Sequence, residues 1–318
     1  MTGVPTSTLR VVYVAGARHC GSTLLDAVLG NAPGARSLGE AGGFHRYAGG
    51  EPCDCGQPAA SCEPCTAARG AVEAHLGVRG HQDLAALPLG ERRLWWLAVP
   101  SRARAAYAAA ADVVFEAAAA ATGAGVLVDS SKNVGRAAAL ALDSAHDVRV
   151  VHLVRDGRGY LRSRRRRAAA DRSRRARILA AAPLALAPWA AKNLLLSDVL
   201  GRRLGPGRYR LCRFEDLVAD PEGELAALGR FLDLDVRGLA DRARGPGLPR
   251  ALLYEPRRRL DYAVVRLDPE RPAAACSSPG SDLALWVLGA AMGRRWGYTA
   301  RGPSPPGARR SRGEAPSS

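Results

Sequence analysis

A chain of 318 residues, 47% of them hydrophobic, can bury one large core or two small ones, which excludes a disordered or fibrous protein. Its 46 basic and 30 acidic side chains leave a net charge of +16, which suggests an anionic partner. Aromatic residues are only 5%, too few for the stacking platforms of nucleic-acid binding, and every basic residue except Lys132 and Lys192 is arginine, so much of the charge reflects a bias towards Arg.

Met1 to Thr8 is short, polar and uncharged, unlike a secretory leader. No apolar run reaches the ~20 residues of a bilayer span; the nearest, Ile178–Leu200, is broken by Pro183, Pro188, Lys192, Asn193 and Asp198. A soluble cytoplasmic protein without a membrane span is expected. Leu9 to Ala15 reads as a buried strand, Gly16 to Gly21 as a tight turn, and Ser22 or Thr23 as the start of a helix with Leu24, Leu25, Val28 and Leu29 on its apolar face. Such a corner aims backbone N–H groups and a helix dipole at one point, which suits an anion. The spacing Gly16-x-x-x-x-Gly21-Ser22-Thr23 nearly matches a triphosphate loop, but Ser22 stands where that loop needs Lys. The loop therefore reads as a phosphate site for some other nucleotide, or as an ordinary strand–turn–helix corner.

Beyond the turn Asn31-Ala-Pro-Gly34, Ser37-Leu-Gly-Glu40 would return to the sheet edge and place Glu40 near the loop mouth. Cys53, Cys55, Cys62 and Cys65 put four thiols within 13 residues, a spacing that suits a structural Zn in a reducing compartment, with disulfides or free thiols as the alternative. Cys20, Cys212 and Cys276 read as core thiols. Residues 66 to 121 are helical by composition, with Trp95 and Trp96 in an apolar patch and an Ala-rich run from Tyr107 to Ala121.

Three further strands follow. Gly125–Asp129 leads to Ser130-Ser131-Lys132 and a helix from about Val134. Val148–Val154 leads to Arg155-Asp156-Gly157-Arg158 and a helix carrying Ser163. Tyr209–Phe214 leads to Glu215-Asp216-Leu217 and a helix over Glu222–Leu232. Strands alternating with helices predict an α/β fold, a parallel doubly wound sheet flanked by helices, with its ligand at the carboxyl ends of the strands. The arginines of 162–167 and 172–177 read as a solvated helix face or as a rim attracting an anionic acceptor. Trp189 and Asn193, one turn apart, read as packed core or as an acceptor wall. Residues 236–280 look irregular, 282–296 helical, and 302–318 disordered. One domain over 9–301 is expected, with a helical insertion at about 45–121 that is Cys-rich at 53–65.

Four of these stretches, in order, resemble the sulfotransferases that use 3′-phosphoadenosine 5′-phosphosulfate (PAPS), bacterial and tyrosylprotein- or carbohydrate-type members included. Gly16–Leu25 resembles their 5′-phosphosulfate loop, with Gly39-Glu40 following; Asp129-Ser-Ser-Lys132 their Asp-x-Ser-Lys strand end. Arg155 and Ser163, eight residues apart, resemble their 3′-phosphate motif, and Phe214-Glu-Asp-Leu217 to Pro221 their later strand and helix. The resemblance implies PAPS as sulfuryl donor and an acceptor hydroxyl or amine on a small molecule, glycan or peptide. It implies Glu40 as base, Lys132 as the cation replacing a metal, and donor contacts from Arg18, His19, Cys20, Gly21, Ser22, Thr23, Ser131, Arg155 and Ser163. Two departures stand out. The family carries Arg two residues before the second loop glycine, where this chain has His19 after Arg18, so either could face the phosphosulfate and act in the transfer. A late Gly-Asn-Pro-x-Arg stretch is also absent between 250 and 270. The competing classes are a P-loop kinase-like small-molecule phosphotransferase and a basic nucleic-acid-binding protein.

Overall fold

The run Val11–Ala15 is buried without a break because β1 (Arg10–Ala15) lies in the middle of a sheet covered on both faces. Its alternate side chains sort accordingly. Val11, Tyr13 and Ala15 enter one apolar cluster, Val12 and Val14 the other. The structure is a computed structural model describing residues 8–42, much of 58–77, 96–167, 182–245, 247–249, 264–265, 293–299 and 302–303.

Four more strands, β2 (Ala35–Gly39), β3 (Val126–Lys132), β4 (Asp147–Val154) and β5 (Tyr209–Arg213), pair in parallel in the order β2-β3-β1-β4-β5. The predicted parallel α/β sheet is therefore present. One face is covered by α1 (Ser22–Gly30), α6 (Phe214–Ala219), α7 (Pro221–Leu232) and α8 (Leu239–Arg244), which contribute Leu25, Leu29, Leu217 and Leu228. The other carries α2 (Arg102–Thr122), α3 (Val134–Asp143) and the π-helical Leu195–Gly201 that continues α5 (Ala182–Leu194); Tyr107, Phe115, Leu140 and Leu196 fill that side. α4 (Gly157–Arg167) follows β4 directly. Strand order runs outwards from β1 in both directions, so the crevice beyond Ala15 is the switch point where such sheets take their ligands.

Side-chain caps fix three of these helices. Ser101 accepts from Arg104 N at 3.1 Å, Asn133 from Arg136 N at 3.1 Å, and Asp220 from Gly223 N at 3.0 Å, with Pro221 opening α7. α2 is long and apolar enough by composition to cross a bilayer. Its inner face instead packs on the sheet, with Tyr107 and Phe115 buried; Arg104 pairs with Asp143, and Asp112 accepts from Ser144 Oγ and Ala145 N. This helix, placed by the sequence within the insertion, is thus part of the covering layer. The stretch expected to be irregular after residue 236 holds α8, which buries Leu239 and Ala243. Cys53, Cys55, Trp95, Cys276, Arg172–Arg177, most of the helix expected over 282–296 and the tail beyond residue 303 lie outside the described residues. Within 294–296 the chain makes a 3₁₀ turn.

Candidate functional site

The loop after β1 is built around two glycines that no other residue can replace without a clash. At Gly16 an added Cβ would lie 2.4 Å from Leu153 O; at Gly21, whose φ is 99°, it would lie 2.3 Å from the Phe214 ring. Gly21→Ala is therefore expected to lose about 3 kcal/mol of stability, read by urea unfolding, through overpacking combined with a left-handed backbone; an unchanged midpoint would contradict this packing. Gly21 also opens α1 with no side-chain cap, unlike α2, α3 and α7. The loop tip follows sequence order: Arg18 is exposed, His19 half-buried with φ 66°, Cys20 and Ser22 buried, and Thr23 exposed. His19 O accepts from Arg155 Nη1 at 3.2 Å, and its ring sits 6.2 Å from that of Tyr160. Burial pushes the Cys20 thiol up, while the positive charges of Lys132 and Lys192 pull it down.

Two irregularities in the sheet aim the next residues. β1 skips a residue of β3 between Asp129 and Lys132, and β2 slips against β3 between Ser37 and Gly39. Lys132 itself takes φ 65°, a conformation that costs energy for a residue with a Cβ and concentrates at functional sites. Its Nζ donates to Glu40 Oε1 at 2.6 Å and to Ser130 O at 2.9 Å, which leaves the third N–H for a ligand oxygen. The Glu40 side chain is 49% exposed against 11% for Lys132, so the carboxylate faces solvent while the ammonium is nearly buried. The two residues singled out from sequence as base and cation thus touch.

Ser131, which the resemblance assigned to donor contact, has local partners for its hydroxyl. Its hydroxyl gives its proton to Asp129 Oδ1 and accepts from Gly42 N at 2.8 Å, so it ties the strand end to the segment carrying Glu40. Asp129 Oδ2 in turn accepts from Arg136 Nε at 2.8 Å, and Arg136 Nη1 donates to Tyr107 Oη. Neither Arg136 nor Gly42 was picked out from the sequence. Only the helix position of Arg136, seven residues after Asp129, could have suggested the pairing.

At the end of β4, the Arg155 guanidinium lies 4.4 Å over the Phe214 ring and along the first turn of α4, where a Cβ on Gly159 would sit 2.9 Å from Arg155 Nε. Ser163, half-buried, is one turn further along the same face as Gly159, so the Arg155 side chain, coming from the end of β4, lies along the face of α4 that carries Ser163. Asp156, buried, pairs with Arg158 and donates its N–H to Glu215 Oε1 at 3.1 Å. Glu215 Oε2 accepts from Tyr298 Oη at 2.7 Å, and burial pushes the Glu215 carboxyl up. Trp189 and Asn193 are both buried. Trp189 meets Trp296 edge-on at 5.4 Å, and Asn193 Oδ1 lies 2.9 Å from His152 Nε2. They belong to the packed interior beneath the loop.

The remaining cysteine expectation is only half visible. Cys62 and Cys65 are buried within the larger apolar cluster, and no group of three His, Cys, Asp or Glu side chains suited to a metal occurs among the described residues.

The chain is an α/β protein with a parallel sheet, an uncapped loop at its switch point and cations at neighbouring strand ends, an arrangement suited to an anion. The chain belongs to the sulfotransferase family, whose model matches residues 12–238. Among solved structures it is similar in fold to the sulfotransferase domain of the Synechococcus PCC 7002 olefin synthase, at 20% identity and a TM-score of 0.51, over 93% of this chain and 98% of that one. The sulfotransferase domain from the curacin biosynthetic pathway matches at 16% identity and a TM-score of 0.51, over 92% and 99% of the two chains. No curated protein matches the sequence.

Proposed function

We propose that the chain transfers a sulfuryl group from PAPS to the hydroxyl or amine of a small-molecule, glycan or peptide acceptor. The observation that carries this reading is the 2.6 Å contact of Lys132 with Glu40 beside the uncapped start of α1. A cation for the leaving oxygen and a carboxylate for the acceptor's proton stand together at one anion loop. The donor set fits a nucleotide charged at both ends. The backbone of Cys20–Thr23, with Arg18 or His19 and the third N–H of Lys132, suits a phosphosulfate; Arg155 and Ser163 along one face of α4 suit a separate phosphate.

The bound donor supplies an activated sulfur–oxygen bond. Glu40 receives the proton that the acceptor gives up. Lys132 keeps its own proton and faces the 5′-phosphate oxygen that retains the electron pair of the broken bond. Positioning and charge neutralisation then do most of the work, as in phosphoryl transfer. Ser22 in place of the triphosphate-loop lysine speaks against a kinase.

Adenosine 3′,5′-bisphosphate at about 100 times its Kd should stabilise the protein by about 2.7 kcal/mol, a rise in Tm of roughly 4 °C in a thermal-shift assay. An equal shift with ATP, without preference for a 3′-phosphate, would replace this reading by the kinase one. No shift with either, joined to steeply salt-dependent binding of DNA or RNA, would replace it by nucleic-acid binding.

A further inference from the structure

Lysine occurs twice in a chain with 46 basic residues, and the charges of both act on Cys20 of the same loop. Lys132 reaches it from β3. Lys192 sits on α5, whose Trp189 and Ala190 pack in one cluster with Ala17 of the loop and Val154 at the end of β4. Gly157, at the start of α4, leaves just enough room for this approach, since an added Cβ would lie 3.0 Å from Leu186 and 3.6 Å from the Trp189 ring. The residue after Lys192 locks the register. Asn193 is fully buried against His152, which Tyr209 Oη holds from its other nitrogen at 2.6 Å, and His152 pairs with Ala15 in the sheet, immediately before the loop. α5 can therefore neither slide nor rotate without breaking a buried polar chain. Half-buried Lys192 lies one helical turn after Trp189, on the side of α5 that carries that ring. Its charge is felt at the loop: alongside Lys132 it acts on the Cys20 thiol, and it adds to the burial that holds His152 down at about 4.

We infer that Lys192 is the second cation of the transfer site, donating hydrogen bonds to the sulfuryl oxygens from the β4 side while Lys132 serves from the β3 side. This rests on the sulfuryl-transfer reading and extends it. Lys192 loses no proton in the step. It neutralises charge on oxygens that the product nucleotide lacks, so its contribution separates from that of Arg155 and Ser163, which face a group present in donor and product alike. An ammonium suits this task better than the arginines used elsewhere, because a compact point charge can follow a group that moves between two oxygens.

The test compares two nucleotides by titration calorimetry on the full chain, PAPS and adenosine 3′,5′-bisphosphate, for wild type, Lys192→Gln and Lys192→Arg, with a melting curve for each. Lys192→Gln should bind PAPS about 10-fold more weakly while binding the bisphosphate within roughly 2-fold of wild type. With an acceptor its kcat should drop roughly 100-fold, and Lys192→Arg should recover part of both losses. Equal weakening of both nucleotides, or none of either, would overturn the role of Lys192 while leaving the sulfuryl-transfer reading intact. Wild type that binds neither nucleotide would overturn the reading itself.

Discussion

Lys132→Ala is expected to lower turnover by about 10³-fold while leaving the protein folded, with Glu40→Ala losing a comparable factor. The ammonium is held at the loop by Ser130 O and Glu40 and is nearly buried, so no neighbouring arginine or water can take over its geometry. Stability should change little on its account, because Glu40 is half exposed and an ion pair with a solvated partner is worth at most about 1 kcal/mol. The two variants should separate by pH. Without Glu40 the reaction lacks its base, and rate should rise towards alkaline pH as solvent hydroxide substitutes. Without Lys132 the loss should persist at every pH. Initial rates with labelled donor across a pH series would read this, and wild-type turnover in both variants would remove the assigned roles.

Asp129→Ala is expected to cost about 3–5 kcal/mol of stability, roughly 4–8 °C in Tm, which makes it the most damaging single change at the site that spares the loop. Burial works against the Arg136 charge, and Asp129 more than offsets it, so the guanidinium sits above its ordinary range. Removing the carboxylate leaves that charge enclosed between the Tyr107 hydroxyl and the Phe115 ring, with no anion against it among the described residues. The same carboxylate also accepts from Ser131 N at 2.9 Å and from the Ser131 hydroxyl, which holds Gly42. Asp129→Asn keeps one acceptor oxygen and should lose less. A midpoint within about 1 kcal/mol of wild type for the alanine variant, in urea, would show that the pair is not what holds this strand end.

Much of this architecture could be read from residue patterns. The uninterrupted Val11–Ala15 run, the glycine corner and the recurrence of strand, polar tip and helix gave the parallel sheet, because strands buried on both faces lose polar alternation. That Glu40 and Lys132 meet follows from each falling at a strand end, since such ends converge. Long-range polar pairing was not legible. Nothing in Asp129-Ser-Ser-Lys132 announces that its serine is spent on Gly42 and its aspartate on Arg136, because those partners are fixed by β-bulges and helix rotation rather than by spacing. Trp189 and Asn193 had two open readings at helical periodicity. Only the buried His152, a polar residue inside an apolar strand, decided between them in favour of the interior.

The family match ends at residue 238, yet the chain folds back under the site some sixty residues later. Tyr298 seals the Glu215 carboxylate that positions Asp156 at the start of α4, Gly297 O accepts from Arg213, and Trp296 closes over Trp189. The stretch by which the chain is recognised is thus shorter than the stretch that packs around its loop. A minimal folding unit has to reach Thr299, and a cut at the boundary of the match would leave a buried acid and an indole without their covers.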